Sequence, residues 1–440
     1  MDMQACLSYI EDMGNRCVCF LASAIAFAIL TAFAQETLRP KDVRNLAKQG
    51  SSALPRLQEL LRNPDLDIRI EAVKAITEVG TPGSLAPLIQ ASADNDPEVQ
   101  IRATDGLVNF YLPGYVQKGL GASLKRVGTS IKGRFTDTND QVIDAFVIPR
   151  PEVIQALGAL VRSGASMEAR ANAARALGIL RAKAAVPDLV AALRSKDKDT
   201  DVIFESLIAL QKIRDESAAP GVAFLLRDLD QKVQLAAIET VGLLQNKSAV
   251  PQLLDVLENS RNNKVKRAAL TSLAMLPDEK SRVVYNKYLH DKDDGLRAAA
   301  AEGFGRLKNP TDLPMLEAAF KDENKMSPRL SLAFAQVMLG KTQIAEFSPF
   351  QLLINTLNSV GYRGVAYAFL VELGRNQSLR PALYHAAEIG TKDEKVYLAR
   401  ILAVSGSQDS VACLEKLSHD EDDEVAQEGL RALRTLKARL

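Results

Sequence analysis

The residues best suited to chemistry are few. Beyond residue 34 the chain carries three histidines, His290, His385 and His419, and one cysteine, Cys413. His290 and His419 stand next to aspartates in polar stretches, where a solvated role is the default. His385 and Glu388 lie three apart and would share a helix face like half of a carboxylate metal site. There is no second pair of that kind, so no metal site is expected. Asp291, Asp293 and Glu302 match the first, third and twelfth positions of a calcium loop, but Leu296 occupies the position that needs glycine. The chain has no phosphate-cradling glycine loop, no serine elbow and no dinucleotide fingerprint. It is predicted to have no catalytic residue, no cofactor and no enzymatic activity. An enzyme built on this chain would have to use Tyr384, His385 and Glu388.

Binding chemistry is better represented. The segment GYVQKGLGASLKRVGTSIKGRF (114–135) carries Lys118, Lys125, Arg126, Lys132 and Arg134 and no acid. Val116, Leu120, Leu124, Val127, Ile131 and Phe135 are spaced to fall on one side of a helix. Glycines 114, 119, 121, 128 and 133 oppose that helix, each by up to about 1 kcal/mol relative to alanine. One reading is a basic amphipathic element that engages an acidic partner or an anionic membrane surface; the other is a helix packed on its neighbours with solvated lysines. A second concentration is aromatic: Phe347, Phe350, Tyr362, Tyr367, Phe369, Tyr384 and Tyr397. Tyrosine suits recognition surfaces, and Tyr362 and Arg363 are the pair expected to be exposed. The alternative is a bulkier core.

The elements that position these residues follow from a repeat. Leu54-Pro55, Ala86-Pro87, Val186-Pro187, Ala219-Pro220, Val250-Pro251 and Leu313-Pro314 each open an apolar helix, and Val283 takes the same slot without proline. Proline is tolerated in a first helical turn because its missing N–H would have been an orphan. A second helix follows after an Asp-rich turn, as in DLDIRIEAVKAITEVG (65–80) and DLDQKVQLAAIETVGLL (228–244). The aspartate caps it, and its apolar residues recur every three to four positions. One helix pair cannot bury both of its stripes, so each unit needs a neighbour. The stretches near 151–185, 347–375 and 378–408 depart from the pattern.

The proline in the first helix, the Asp-rich turn and Ile68-Arg69 through Ala75-Ile76 in the second resemble the HEAT-repeat family, over roughly residues 40–440. The resemblance implies an all-α, right-handed superhelix of about eleven helix pairs, and a role as a scaffold for other proteins. It also implies that Arg69, Arg170, Lys266, Arg297, Arg329 and Arg363, near the starts of second helices, pair with acids of adjacent repeats; unpaired, they would form a basic strip. HEAT-like repeats also occur in phycobilin lyases and in some DNA-repair glycosylases, while the His-Glu dipeptides of the HEAT-repeat deoxyhypusine hydroxylases are missing here.

The N-terminus bears on location. VCFLASAIAFAILTAFA (18–34) is uncharged and closes on Ala32-Phe33-Ala34, a small-x-small cleavage pattern, with Arg16 on its flank. Export to a bacterial periplasm or beyond is expected, with cleavage after Ala34; the other reading is a short retained anchor. Met13 is an alternative start that removes Asp2, Glu11 and Asp12. The predicted organisation is a signal peptide at 1–34, a cap helix at 35–53, two repeats at 54–113, a basic insertion at 114–150 and nine repeats at 151–440. A net charge of +1 and the lack of tryptophan give no general attraction to nucleic acid. The expected partner of this monomeric scaffold is a protein, with an anionic membrane surface as the second choice.

Overall fold

A computed structural model describes residues 38–116, 142–195 and 199–440. These residues form 22 α-helices, joined by short 3₁₀ turns, and no strand. The signal peptide expected at 1–34 lies outside the described residues. No described helix is long and apolar enough to cross a membrane. The chain divides into two compact units, one ending at Pro87 and the other spanning Leu88–Leu440.

In the first unit, the cap predicted for 35–53 is a helix at Pro40–Leu46 and a 3₁₀ stretch at Ala47–Ala53, broken where Gly50 takes the left-handed region (φ 63°). The repeat that follows shows the rule in its simplest form. Leu54–Leu60 carries its proline in the first turn, and the Asp65 side chain accepts from the Asp67 N–H to start Leu66–Val79. Gly80 ends that helix at φ 59°, a conformation glycine adopts at no steric cost. Val43, Leu57, Ile68 and Ile76 are buried between the helices.

In the second unit the same device recurs. Asp96, Asp199, Asp230, Asp293 and Asp422 cap second helices, and Asn262 does so at Asn263–Met275. The atypical repeats use substitutes: Ser166 caps Met167–Ile179, and Thr391 with Glu394 forms a capping box at Lys392–Ser405. Pro151 and Pro349 also open first helices. One expectation fails. The segment opened by Pro220 is not an α-helix but two 3₁₀ stretches, Glu216–Gly221 and Ala223–Arg227. Gly221 lies so close to Val190 that a Cβ would come within 2.5 Å of its Cγ1, and a glycine after proline weakens helix propagation.

Second helices stack at small residues. A Cβ on Gly178 would lie 2.7 Å from the Ala209 Cα, one on Gly305 would lie 2.7 Å from the Ala335 Cα, and Gly242 meets Ser272 in the same way. The aromatic-rich repeats are mostly core: Phe350, Tyr367 and Phe369 are buried, and Phe334 stacks on Phe369 at 4.6 Å. Phe347 is the exception, 87% exposed.

The insertion is anchored at both ends. The Arg150 N–H donates to the Tyr111 hydroxyl at 2.9 Å, which closes a 39-residue excursion. Residues 117–141 lie outside the described residues. After them, Ile143 is buried and its N–H donates to the Ile179 carbonyl at 3.0 Å. The chain thus returns along the end of Met167–Ile179 before Pro151–Ser163 begins.

Candidate functional site

The second helices of the Leu88–Leu440 unit border a cavity of about 2580 Å³. It runs from Val142 and Arg181 to Arg431 and Arg439. Fourteen arginines and lysines line it against seven carboxylates. A chain of net charge +1 therefore concentrates positive charge on one surface.

Near one end, Arg175 pairs with Glu205 at 2.8 Å, beside Lys212. Burial lowers the Lys212 ammonium to about 8, with Arg175 and Arg181 acting in the same sense and Glu205 against it. In the middle, Arg306 bridges Glu302 at 3.0 Å and Glu372 at 2.9 Å, 66 residues further on, and lies 4.9 Å over the Phe334 ring. Burial pushes the Glu302 carboxyl above the ordinary carboxylate range against the pull of Arg306, and Ser331 donates to it at 3.1 Å. At the far end, Arg363 and Arg400 both lie over Tyr397, at 4.5 and 4.9 Å from the ring centre. Arg400 pairs with Glu428 at 2.9 Å, and Arg431 pairs with Asp144 at 2.7 Å.

Tyr362 and Arg363 both line the cavity, but they are half-buried rather than exposed. Arg363 donates to the Leu357 carbonyl and to Asp393, each at 2.5 Å, and so is committed before any partner arrives. The other expected contact residues, Lys118, Lys125, Arg126, Lys132 and Arg134, lie outside the described residues.

The recurrent arginines have a common local task. Arg69, Arg297, Arg329 and Arg363 each donate to the carbonyl six residues earlier, on Asn63, Asp291, Glu323 and Leu357. Gln100 does the same to Asp94. Each base thereby satisfies carbonyls left over at the end of its own first helix. Arg297 and Arg363 also pair with acids of the next repeat, Glu323 and Asp393. Arg329 instead covers the Phe320 ring and meets no carboxylate among the described residues. The pairs that step from repeat to repeat run mainly through other residues, including Lys232–Asp201, Arg267–Asp293, Arg282–Asp312 and Lys395–Asp420.

Glu388, offered by the sequence as half of a metal site with His385, pairs with Lys416 at 2.9 Å. Among the described residues no group of three or more His, Cys, Asp or Glu could hold a metal ion.

A family model described as HEAT repeats matches residues 29–108, 154–223, 222–283 and 250–335, more than half of the chain. The chain belongs to the HEAT-repeat family. The gap in the match falls on the insertion, and the helix pairs continue past the last matched residue to Asp423–Lys437. Solved structures similar to this HEAT chain include an engineered protein, at 20% identity and a TM-score of 0.37, covering 87% of this chain and 98% of that one. Another is the complex of CpcE and CpcF of phycocyanin lyase from Nostoc sp., at 19% and 0.37, covering 61% and 92%. A third is YibA of Escherichia coli, at 16% and 0.39, covering 68% and 96%. These likenesses extend to the repeat fold alone. No curated protein matches the sequence.

The HEAT register also exposes a set of residues that sequence reasoning missed. Arg181, Arg214, Gln245 and Lys308 each follow the end of a second helix and adopt φ of 47°, 58°, 55° and 55°. All four line the cavity. The signal for them lay in the repeat itself: at the equivalent places after Leu66–Val79 and Met326–Met338 the chain uses Gly80 and Gly340.

Proposed function

We propose that this chain is an exported, non-catalytic HEAT-repeat scaffold that holds a protein partner against the charged cavity of its Leu88–Leu440 unit. The observation that carries the reading is the cavity lining: side chains from successive second helices, with fourteen bases against seven acids, arranged along the repeats. A surface that gathers side chains from successive second helices suits an extended protein ligand better than a compact substrate. Part of it is fixed in advance by pairs such as Arg306 with Glu302 and Glu372, which suits a preformed recognition surface. Export is supported by the apolar run 18–34 and its Ala-x-Ala end.

A photo-cross-linking residue placed in the cavity, at Thr271 or Met338, tests the reading in cells, with Glu258 on a first helix as the control. Recovery of a discrete set of envelope proteins from the cavity positions alone supports it. Equal capture from Glu258, or none, overturns it. The same experiment with residues 114–135 deleted tests the membrane-surface alternative, which requires that the captured material be lipid-associated and disappear with the deletion.

A further inference from the structure

Resting on that reading, we propose that Arg181, Arg214 and Lys308, with Gln245 bracing the repeat between them, form a track that binds an extended, carboxylate-rich segment of the partner polypeptide. The first observation is conformational. All four hold the left-handed region, where a side chain is disfavoured and glycine is the usual occupant. Gly80 and Gly340 show that this chain uses glycine at the same place in other repeats. Four long polar side chains in disfavoured backbone therefore mark a place where the side chain itself is needed.

The second observation is placement. Arg181 and Arg214 are 33 residues apart, Arg214 and Gln245 are 31 apart, and Lys308 follows two repeats later. All four are exposed and lie on one cavity, beside Lys183 and Arg375. Arg181, Lys183, Lys308 and Arg375 form no ion pair among the described residues, unlike Arg306, Arg400 and Arg431 on the same surface. A charge that merely suits its own helix C-terminus is an incomplete account, because Gln245 is neutral. Gln245 donates instead to Gly242 and, at 3.0 Å, to Met275 of the next repeat. Arg214 donates to the Gln211 carbonyl through Nε at 2.9 Å.

The third observation selects the ligand. Asp144 already sits in this cavity as a carboxylate bound to Arg431. A carboxylate is thus a group the surface accepts. Acids are interspersed among the bases, with Glu216, Glu239 and Asp294 on the lining. A uniformly charged phosphate backbone would meet those acids, whereas a polypeptide can place neutral residues opposite them. Leu243, Met275 and Val337 offer apolar contact between the charges.

The test uses the chain from Gln35 onward and a fluorescent, unstructured glutamate-rich peptide of about a dozen residues, beside its glutamine counterpart and a short single-stranded DNA. The variant R181G/R214G/K308G places glycine in backbone that favours it, so its denaturation midpoint should stay level or rise. Its affinity for the acidic peptide should fall at least about tenfold, while R181K and the off-cavity variant Lys280→Ala bind like wild type. Unchanged peptide affinity in the triple variant overturns the track. DNA binding as tightly as the peptide, with the same dependence on the three residues, overturns the choice of ligand. If the wild type ignores the peptide at low salt while Thr271 and Met338 still cross-link a protein, this inference fails and the scaffold reading stands.

Discussion

Asp144 and Arg431, 287 residues apart in sequence, meet through two hydrogen bonds to one carboxylate oxygen, at 2.7 and 3.1 Å. The pair ties the returning segment of the insertion to the last repeat. Arg150, six residues further on, ties the same segment to Tyr111, and the Ile143 N–H ties it to Ile179. Both partners of the ion pair are partly exposed, so Asp144→Ala should cost less than about 1 kcal/mol of global stability. Its local effect should be larger: hydrogen exchange at Ile143 should accelerate, and the double exchange D144R/R431D should restore protection. Protection that is unchanged in Asp144→Ala would mean the segment is held by Ile143 and Arg150 without the ion pair.

Lys212 sets a pH dependence. Its folded-state pKa of about 8 lies below the ordinary lysine value of 10.5. Between those values the unfolded chain holds more protons, so this group makes stability rise with pH from about 8 to about 10.5. Below pH 8 the buried ammonium costs a constant amount, on the order of a few kcal/mol at most. Lys212→Met should therefore unfold later than wild type at pH 7, and the gap should narrow by pH 10. Parallel curves across that range would show that Lys212 is not the titrating group.

The stacking of second helices predicts which glycines resist change. Gly305 faces the Ala335 backbone with no room for a methyl group, and backbone cannot swing aside as a flexible side chain can. Gly305→Ala should cost roughly 1–3 kcal/mol in urea denaturation. Gly361→Ala, with open space around it and an ordinary φ, should be close to neutral. Equal effects at the two sites would contradict the packing.

Cys413 predicts a thiol readout. Burial pushes its pKa to about 11, so it should react slowly with thiol reagents at pH 8 and fast once the chain unfolds. The remaining cysteines, Cys6, Cys17 and Cys19, fall within residues 1–34, the expected signal peptide. A protein processed after Ala34 should therefore show no fast thiol in the native state. Fast thiols in protein recovered from the envelope would mean the leader is retained.

What could be read from residues alone was what depends on near neighbours in sequence. Asp65, Asp230 and Asp293 cap the helices their turns announced, Pro251 and Pro314 sit in first turns, and the apolar period names the buried stripe. Each involves a hydrogen bond or a packing step within a few residues, or within one repeat, so the repeat class and the family were legible. Even there, Gly221 packed on Val190 turned one expected helix into 3₁₀ turns.

The candidate site was legible only in part. Tyr362 and Arg363, expected to be exposed, line the cavity half-buried, and the burial of Arg363 depends on Leu357, Asp393 and Tyr397 from neighbouring elements. The bridge from Arg306 to Glu372, the meeting of Asp144 with Arg431, and the gathering of Arg181, Arg214, Gln245 and Lys308 on one cavity were decided by tertiary structure. The physical reason is that each repeat contacts its neighbours through short-range rules, while the relation between distant repeats accumulates from the small rotation at every interface. No local spacing carries that sum.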